Sequence, residues 1–470
     1  MNQILNLQID RRSKISLSEQ IVQRVIHAIE SGTLKPNARL PSWVDLSVQL
    51  GVSRGTVRIA YEKLLDQQFI VASKSMGTRV ANRPYLTKFD ATIEPTEFLK
   101  KYAHFTTGPA IFQMGVPAQE TLPAKLFSRI HSYAIQAELG HSRYPDPRGE
   151  LKLRDELVAY LALSRGIKCS TDQIFITNGY SSGLGLVLQA LKTKNKKVGM
   201  ENPGYLLTRK GLELTGFEIC SIPIDESGID VPYLLQNYHD ASIVMVTAGQ
   251  QAPLGYALSL ERRLALLDWA TKQNSWIIED DYLSELQLDG RATPALASLD
   301  HSGHVIHIGS FSKTISPALK LGFIIVPPQL VNHFAEFTTC LVQAPNPAVQ
   351  LALSEFIREG YYMRHLRKTK RLYMLQRDAL FNRLTQHYHL SNISKSGLAI
   401  ILSLAENCDD FALADKLFNL GLAPTPLSAW YDPHKPVQKG LLLGVATSPI
   451  KFLNQASHTL IEMLKMHNNE

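Results

Sequence analysis

The chain has 470 residues, 45% of them hydrophobic, and its 49 Lys and Arg outnumber 42 Asp and Glu for a formal net charge of +7. That length is long for one domain and suits a small domain joined to a larger α/β unit. No apolar run is long enough to cross a bilayer, and Cys169, Cys220, Cys340 and Cys408 lie far apart with no C-x-x-C pair, which argues against a membrane protein, a zinc site and a disulfide framework.

The four cysteines are expected as buried thiols and no metal site is expected. Met1 to Gln8 runs at once into Asp10-Arg11-Arg12, unlike a secretory leader, so a cytoplasmic protein is expected. The first eighty residues hold 11 Lys/Arg and 6 Asp/Glu, a local net of +5. Positive charge concentrated in this way attracts a polyanion.

In chain order, Ser16-Leu17-Ser18-Glu19 reads as a capping box opening a helix with Ile21, Val25 and Ile29 on one face and Gly32 as its stop. Pro41-Ser42-Trp43-Val44-Asp45 starts a second helix that ends at Leu50-Gly51. Ser53 caps a third, with Val57, Tyr61, Leu64 and Leu65 inward. Two helices joined across Gly51-Val52 form a helix-turn-helix. Its second member exposes Arg54, Thr56 and Arg58 near the N-terminal end, the end that enters the major groove in this class of motif. Phe69-Ile70-Val71-Ala72 and Thr78-Arg79-Val80 then flank Ser73-Lys74-Ser75-Met76-Gly77 as a two-stranded wing with a cationic tip. From Ala81 to about Ile111 the chain is polar, carries Pro84, Pro95 and Pro109, and reads as a partly ordered linker with Phe89 and Phe98 as candidate anchors.

Beyond it, apolar strands alternate with loops of distinctive composition. Tyr144-Pro145-Asp146-Pro147-Arg148-Gly149 precedes Leu151 and Arg154. Ile174-Phe175-Ile176-Thr177 meets Asn178-Gly179-Tyr180-Ser181-Ser182-Gly183, a small-residue turn opening a helix whose free N–H groups suit a phosphate. Lys197-Val198-Gly199-Met200 leads to Glu201-Asn202-Pro203-Gly204-Tyr205, an aromatic ring placed to lie on a planar cofactor. Ser242 to Val246 leads to Thr247-Ala248-Gly249-Gln250-Gln251-Ala252-Pro253-Leu254-Gly255. Trp276-Ile277-Ile278 ends in Glu279-Asp280-Asp281-Tyr282, and Val305 to Ile308 in Gly309-Ser310-Phe311-Ser312-Lys313. A lysine at a strand end can condense with an aldehyde, a carboxylate can hold a protonated ring nitrogen, and a phenol can hydrogen-bond a phenolate oxygen. One such loop is weak evidence; five in one order are not.

Residues 112 to 470 therefore resemble a fold-type I, aspartate-aminotransferase-like pyridoxal phosphate protein, with Tyr144-x-Asp146-Pro147-x-Gly149 and the later Arg154 matching that family's Y-x-D-P-x-G-x-x-x-L-R motif. The resemblance implies Lys313 as the Schiff-base lysine and no further catalytic residue. It implies Asp280 at the ring nitrogen, Tyr282 at the phenolate oxygen, Tyr205 facing the ring, and Ser310, Lys320 and the amides of Ser181 and Ser182 at the phosphate of pyridoxal 5'-phosphate. Gly32-x-Leu34-Lys35-Pro36, Leu40-Pro41-Ser42 and Leu50-Gly51-Val52-Ser53-Arg54-x-Thr56-Val57 resemble the GntR winged helix. That implies a double-stranded DNA partner met by Arg39, Ser42, Ser53, Arg54, Thr56, Arg58, Lys74 and Arg79. Val44 stands where the GntR family usually has an arginine.

The combination, with the basic run Tyr362-Met363-Arg364-His365-Leu366-Arg367-Lys368 and the later Tyr373, Arg377 and Leu380, resembles the MocR subfamily of GntR regulators. The fold expected is α/β: a winged helix-turn-helix at 1–80, a linker at 81–111, a large cofactor domain with a mixed, mostly parallel sheet at 112–345, and an α+β lobe at 346–470. The resemblance further implies a head-to-tail homodimer with no membrane partner.

Three departures from the aminotransferase pattern bear on activity. Leu442, in Gly440-Leu441-Leu442-Leu443-Gly444-Val445, stands where such enzymes carry the arginine that grips the substrate α-carboxylate, and no arginine occurs from Lys435 to Thr447. Losing one partner of a buried charge pair costs about 2–5 kcal/mol, so ordinary α-amino acids should bind tens to thousands of times less well. Gln250 stands where the family's T-P-S-H-Q-aromatic-P-x-G loop has a titratable histidine and Ala252 where it has a ring, and a neutral amide supplies no proton at neutral pH. Lys320 replaces an arginine, keeping the charge without the bidentate fork. The reading is a regulator that senses pyridoxal phosphate or an effector without an α-carboxylate, with little or no transamination. The alternatives are a working aminotransferase with an accessory N-terminal domain, and a constitutive DNA binder with a vestigial pocket.

Overall fold

In a computed structural model of the protein, the described residues are 8–73, 77–82, 94–106, 110–140, 144–290, 292–387, 392–435 and 437–467. Lys74, Pro84, Phe89 and Pro109, named above, lie outside them. The chain divides into two units, Met1–Thr96 and Glu97–Glu470.

In the first unit, helices α1 (Leu17–Glu30), α2 (Trp43–Leu50) and α3 (Arg54–Asp66) precede an antiparallel pair, β1 (Ile70–Ser73) and β2 (Gly77–Val80), with Ile70 opposite Val80. Three serines start the helices. Ser16, Ser42 and Ser53 each accept a hydrogen bond from the backbone N–H three residues on, satisfying a donor that the first turn leaves unpaired. The capping box expected at Ser16 is only half made, because the Glu19 carboxylate turns away to meet Lys63 of α3 at 2.8 Å. Gly51 ends α2 with φ +63°, the left-handed conformation that lets the chain turn into α3. Ile21, Val25, Leu46, Val57, Tyr61, Leu64, Ile70 and Val80 form the core, and the Tyr61 hydroxyl donates to the Pro41 carbonyl. Leu65, expected inward, is 36% exposed, since it follows Leu64 at the edge of the buried stripe Val57, Tyr61, Leu64.

In the second unit an eight-stranded mixed sheet is built from β3 (Ile174–Thr177), β4 (Lys197–Asn202), β5 (Glu218–Asp225), β6 (Gly228–Ile229), β7 (Ile243–Val246), β8 (Trp276–Asp281), β9 (Val305–Ser310) and β10 (Gly322–Ile325). The order is β3-β10-β9-β8-β7-β4-β5-β6, with β9, β8, β7, β4 and β5 parallel and β10 antiparallel to both its neighbours. The C-terminal ends of β3, β9, β8, β7 and β4 thus share one edge, where ligands of open α/β sheets bind. Strands buried on both faces read as continuous apolar runs, as these do. Two clusters, around Phe175, Val198 and Ile308 and around Val244, Trp269 and Ile277, cover the faces.

A second sheet, β11 (Ile393–Ser396), β12 (Ala399–Ser403), β13 (Thr425–Pro426) and β14 (Gly440–Gly444), is antiparallel in the order β11-β12-β14-β13. The helices Tyr361–Thr385, Asp410–Phe418 and Ile450–His467 accompany it. Two elements differ from the sequence reading. The segment read as a linker contains the helix Glu97–Thr106. Of the cysteines, Cys220 is buried and Cys169 and Cys408 are half-buried, but Cys340 is exposed. It lies two residues beyond buried Thr338, roughly 200° further round the helix, and so faces solvent. No described helix is long and apolar enough to cross a membrane.

Candidate functional site

Lys313 follows the end of β9, and its Nζ donates to the Gly115 carbonyl at 2.7 Å. Gly115 has φ +77°, and a Cβ there would lie 2.9 Å from that amine, so the approach needs glycine. Burial lowers the Lys313 amine to about 8, against an opposing pull from Asp280. A larger fraction therefore carries the lone pair that attacks a carbonyl.

Asp280 lies within β8, not in a turn after it, because the strand continues through Glu279 and Asp281. All three acids are buried. Burial raises Asp280 to about 7; a hydrogen bond from Tyr180 opposes this, and Asp281 and Glu201 add to it. Its Oδ1 has no hydrogen-bond partner among the described residues. An orphaned buried carboxylate oxygen is costly, and a protonated ring nitrogen is the kind of donor that completes it.

The flanking acids are satisfied by protein. For Glu279, burial alone would raise the carboxyl, but His307 at 2.9 Å and the amides of Leu296 and Ala297 bring it down to about 2. Asp281 accepts from Arg165 Nε at 2.6 Å. Among the described residues, Asp280 is the one acid of the three with a fully buried oxygen that meets no donor.

Around this pair the rings gather. Tyr180 and Tyr205 are 6.1 Å apart between centroids, and Tyr205 meets Trp430 at 5.6 Å and 34°. Tyr180 hydrogen-bonds Thr208 at 2.6 Å. Burial, followed by the nearby charge of Asp280, pushes the Tyr282 phenol upward, which keeps it a neutral donor.

Across the sheet edge, Gly322 of β10 pairs with both Thr177 of β3 and Ser310 of β9. That register sets Ser310 beside the turn that opens the helix Tyr180–Ala190. Gly179, at φ +79°, precedes that helix and no side chain caps it, while Ser181 and Ser182 occupy its first turn. Ser310 Oγ donates to Ser312 Oγ at 3.1 Å and accepts from the Ser312 amide. Lys320 is exposed, and its backbone carbon lies 4.0 Å from where a Cβ on Gly179 would stand. The residues expected at the phosphate therefore come together from three separate segments.

Leu442 is fully buried with Ile401 and Leu427, and Met114, Leu254, Trp430 and Tyr431 pack against them. Met114 of this cluster precedes Gly115, whose carbonyl accepts from the Lys313 amine. Of the two glutamines in the altered loop, Gln251 is held by backbone carbonyls, while Gln250 Oε1 is buried with no hydrogen-bond partner among the described residues. Gln251 Nε2 donates to the carbonyls of Pro203 and Ala252, and Thr247 donates to Glu201 through its N–H and its hydroxyl. Arg154, 1% exposed, is spent on Asp146 and the carbonyls of Gly149 and Thr171, which accounts for that motif as a clamp.

Four residues of this site were given no role in the sequence reading: Gly115, Tyr180, Glu201 and Trp430. Tyr180 and Glu201 sit in loops already singled out, so their positions were visible. Gly115 and Trp430 come from segments distant in sequence, and no local signal marks them.

In the first unit, Arg39, Arg54 and Arg58 are exposed, and Thr56 is half-buried. Arg58 forms an ion pair with Glu62 at 3.5 Å. Ser42 and Ser53 hold their helix caps, and Thr56 Oγ1 is 2.8 Å from Ser53 Oγ. Arg79 Nη1 donates to the Asn37 carbonyl, linking the wing to the loop before α2. The exposed cations at the start of α3 are Arg54 and Arg58, the latter paired with Glu62.

Residues 114–430 match the aminotransferase class I and II family, and residues 17–80 match the gntR family of bacterial regulatory proteins. The probable rhizopine catabolism regulatory protein MocR of Rhizobium meliloti is 29% identical over 97% of this chain and 95% of its own. The HTH-type pyridoxine biosynthesis transcriptional regulator PdxR of Corynebacterium glutamicum is 32% identical, covering 77% of this chain and 78% of its own. The HTH-type transcriptional regulator TauR of Rhodobacter capsulatus is 32% identical over 78% and 79%. Among solved structures, the kynurenine aminotransferase of Pyrococcus horikoshii superposes with a TM-score of 0.71 at 22% identity, over 81% of this chain and 97% of that one. This likeness establishes the fold of the second unit.

Proposed function

The chain belongs to the class I and II aminotransferase family, in the MocR-type form of transcription regulator with a gntR-family reader ahead of that domain, and on that premise we propose what it senses. It binds double-stranded DNA as a head-to-tail dimer and responds to pyridoxal 5'-phosphate, or to a small effector lacking an α-carboxylate, in the cleft around Lys313. The observation that carries this reading is the unpartnered, buried Oδ1 of Asp280, whose charge acts on a Lys313 amine that burial lowers to about 8.

Pyridoxal phosphate, when bound, supplies an aldehyde for a primary amine and a ring that withdraws electrons. Toward it, Lys313 offers the amine, Asp280 keeps the proton on the ring nitrogen, Tyr282 donates to the phenolate oxygen and Tyr205 covers the ring. The amides of Ser181 and Ser182, with Ser310 and Lys320, hold the phosphate. The hydrocarbon wall at Leu442 gives an α-carboxylate no counter-charge, and Gln250 and Gln251 offer no titratable proton. Regulation without efficient transamination follows from those two features.

The test is a titration of the purified protein with pyridoxal phosphate, read by visible absorbance, beside Lys313→Ala, with footprinting of the DNA upstream of its reading frame. A yellow colour in the parent that borohydride bleaches while fixing the cofactor covalently, with no such fixation in the variant, is expected, together with a cofactor-dependent footprint. A colourless parent would remove the sensing reading, and steady conversion of amino acid to keto acid without salt-sensitive DNA binding would replace it with the enzyme.

A further inference from the structure

The buried face of the helix Tyr361–Thr385 carries polar groups to which the cofactor site gives no role. Tyr362, His365 and Tyr373 recur at helical spacing on that face, and all three are buried. A face packed for hydrocarbon alone would carry leucine there, as it does at Leu366, Leu380 and Leu384. These three side chains instead reach two segments of the large unit. The Tyr362 hydroxyl donates to Thr314 Oγ1 at 3.0 Å, and His365 Nε2 lies 2.5 Å from the Thr314 carbonyl oxygen. On the other side, His365 Nδ1 lies 3.2 Å from the Thr121 carbonyl oxygen, and the Tyr373 hydroxyl accepts from the Ala118 amide at 2.9 Å.

The same two segments hold the lysine. Thr314 follows Lys313 directly, while Ala118 and Thr121 follow Gly115, whose carbonyl accepts from the Lys313 amine at 2.7 Å. Thr121 Oγ1 also donates to the Ala118 carbonyl at 2.8 Å, which ties the second segment to itself. From Tyr362 to Tyr373 the helix rises about 16 Å at about 1.5 Å per residue, enough to span both segments. A lysine amine sits on a flexible four-carbon stem, so its aim depends on how firmly the backbone is fixed at its root and at its acceptor. The His365 ring touches both. A neutral imidazole donates through one nitrogen and an imidazolium through both, so the ring holds at least one of the two carbonyls in either form.

We propose that His365, assisted by Tyr373, is a positioning residue: it bridges the Thr314 and Thr121 carbonyls and so fixes the Lys313 amine against Gly115, aimed for attack on the cofactor aldehyde. The proposal rests on the pyridoxal phosphate reading above and names the residues that aim its lysine.

In the full chain, His365→Leu fills the space of the ring and removes both contacts. Two ligands are compared. Pyridoxal phosphate is followed by the rate at which borohydride-fixable colour appears. Pyridoxine 5'-phosphate, an alcohol with the same ring and phosphate but no aldehyde, is followed by equilibrium dialysis. A misplaced amine should slow covalent capture by about tenfold to a hundredfold, with affinity for the alcohol unchanged. His365→Gln, which sets an amide N–H near the place of Nε2, should recover most of the rate. A packing role alone would lower the unfolding midpoint and weaken both ligands together; that result, or an unchanged rate of capture, overturns the proposal. Where circular dichroism shows that His365→Leu does not fold, Tyr373→Phe carries the test. Loss of that one acceptor should slow capture about fivefold at unchanged affinity for the alcohol, and no change overturns the proposal. A parent that stays colourless overturns the cofactor reading as well, whereas a coloured parent matched by its variants overturns the positioning role alone.

Discussion

Asp280 is the residue where burial and function pull against each other. Burial, opposed by Tyr180 and reinforced by Asp281 and Glu201, lifts its carboxyl to about 7 from the ordinary 3.8. Between those values the folded chain binds a proton that the unfolded chain does not, so stability of the cofactor-free protein falls as pH rises through that window. Glu201, buried and raised to about 7, contributes to the same slope despite its bonds from Thr247. Asp280→Asn is expected to flatten part of this dependence in denaturant titrations at pH 4 to 7. It should also weaken pyridoxal phosphate by about 1.5–3 kcal/mol, roughly tenfold to a hundredfold, through loss of a charge-assisted bond. An unchanged affinity would mean that the open oxygen does not face the ring nitrogen. At Leu442 the expectation runs the other way. An arginine there is left unpaired among Ile401 and Leu427 and should cost about 3–5 kcal/mol, and L-alanine should restore part of the lost unfolding midpoint if that wall borders the effector site.

At the scale of the element, the reader helices were legible because each start has a serine and the bend between α2 and α3 has a glycine. Ser53→Ala is expected to lower stability of the first unit by about 1 kcal/mol, since the Thr56 amide loses its acceptor. Gly51→Ala should cost about 1–2 kcal/mol, because φ +63° crowds a Cβ and the added atom comes within 3.3 Å of Arg11. Denaturant midpoints followed by circular dichroism would show both, and a Gly51→Ala midpoint equal to the parent would contradict the strain argument. The acidic run after Trp276 was harder. Local composition reads Glu279-Asp280-Asp281 as a strand end, yet the strand continues through all three, because His307, Arg165 and two backbone amides from distant segments satisfy the outer pair. The helix Glu97–Thr106 was not anticipated, since its apolar period lasts only 10 residues and lies in a polar stretch between Pro95 and Pro109.

For the whole molecule, two separately cored units imply two unfolding events. Calorimetry is expected to resolve them, with pyridoxal phosphate raising the transition of the larger unit by mass action, about 2.7 kcal/mol at a hundredfold excess over its dissociation constant, while the smaller one stays put. A single transition that moves as one with cofactor would instead mean that the units unfold together.

Sequence by itself determined that a cationic helix-turn-helix precedes an α/β cofactor domain, because helix caps, apolar periods and the composition of the loops are local properties. It also determined that Leu442 offers no charge, since side-chain chemistry survives any fold. Tertiary structure alone decided which acid of three keeps an open oxygen, which glycine carbonyl receives the Lys313 amine, and that Trp430 closes the ring stack on Tyr205. Those depend on contacts between separate segments, from Glu279 with Leu296 to Lys313 with Gly115, and no local pattern encodes which segments meet.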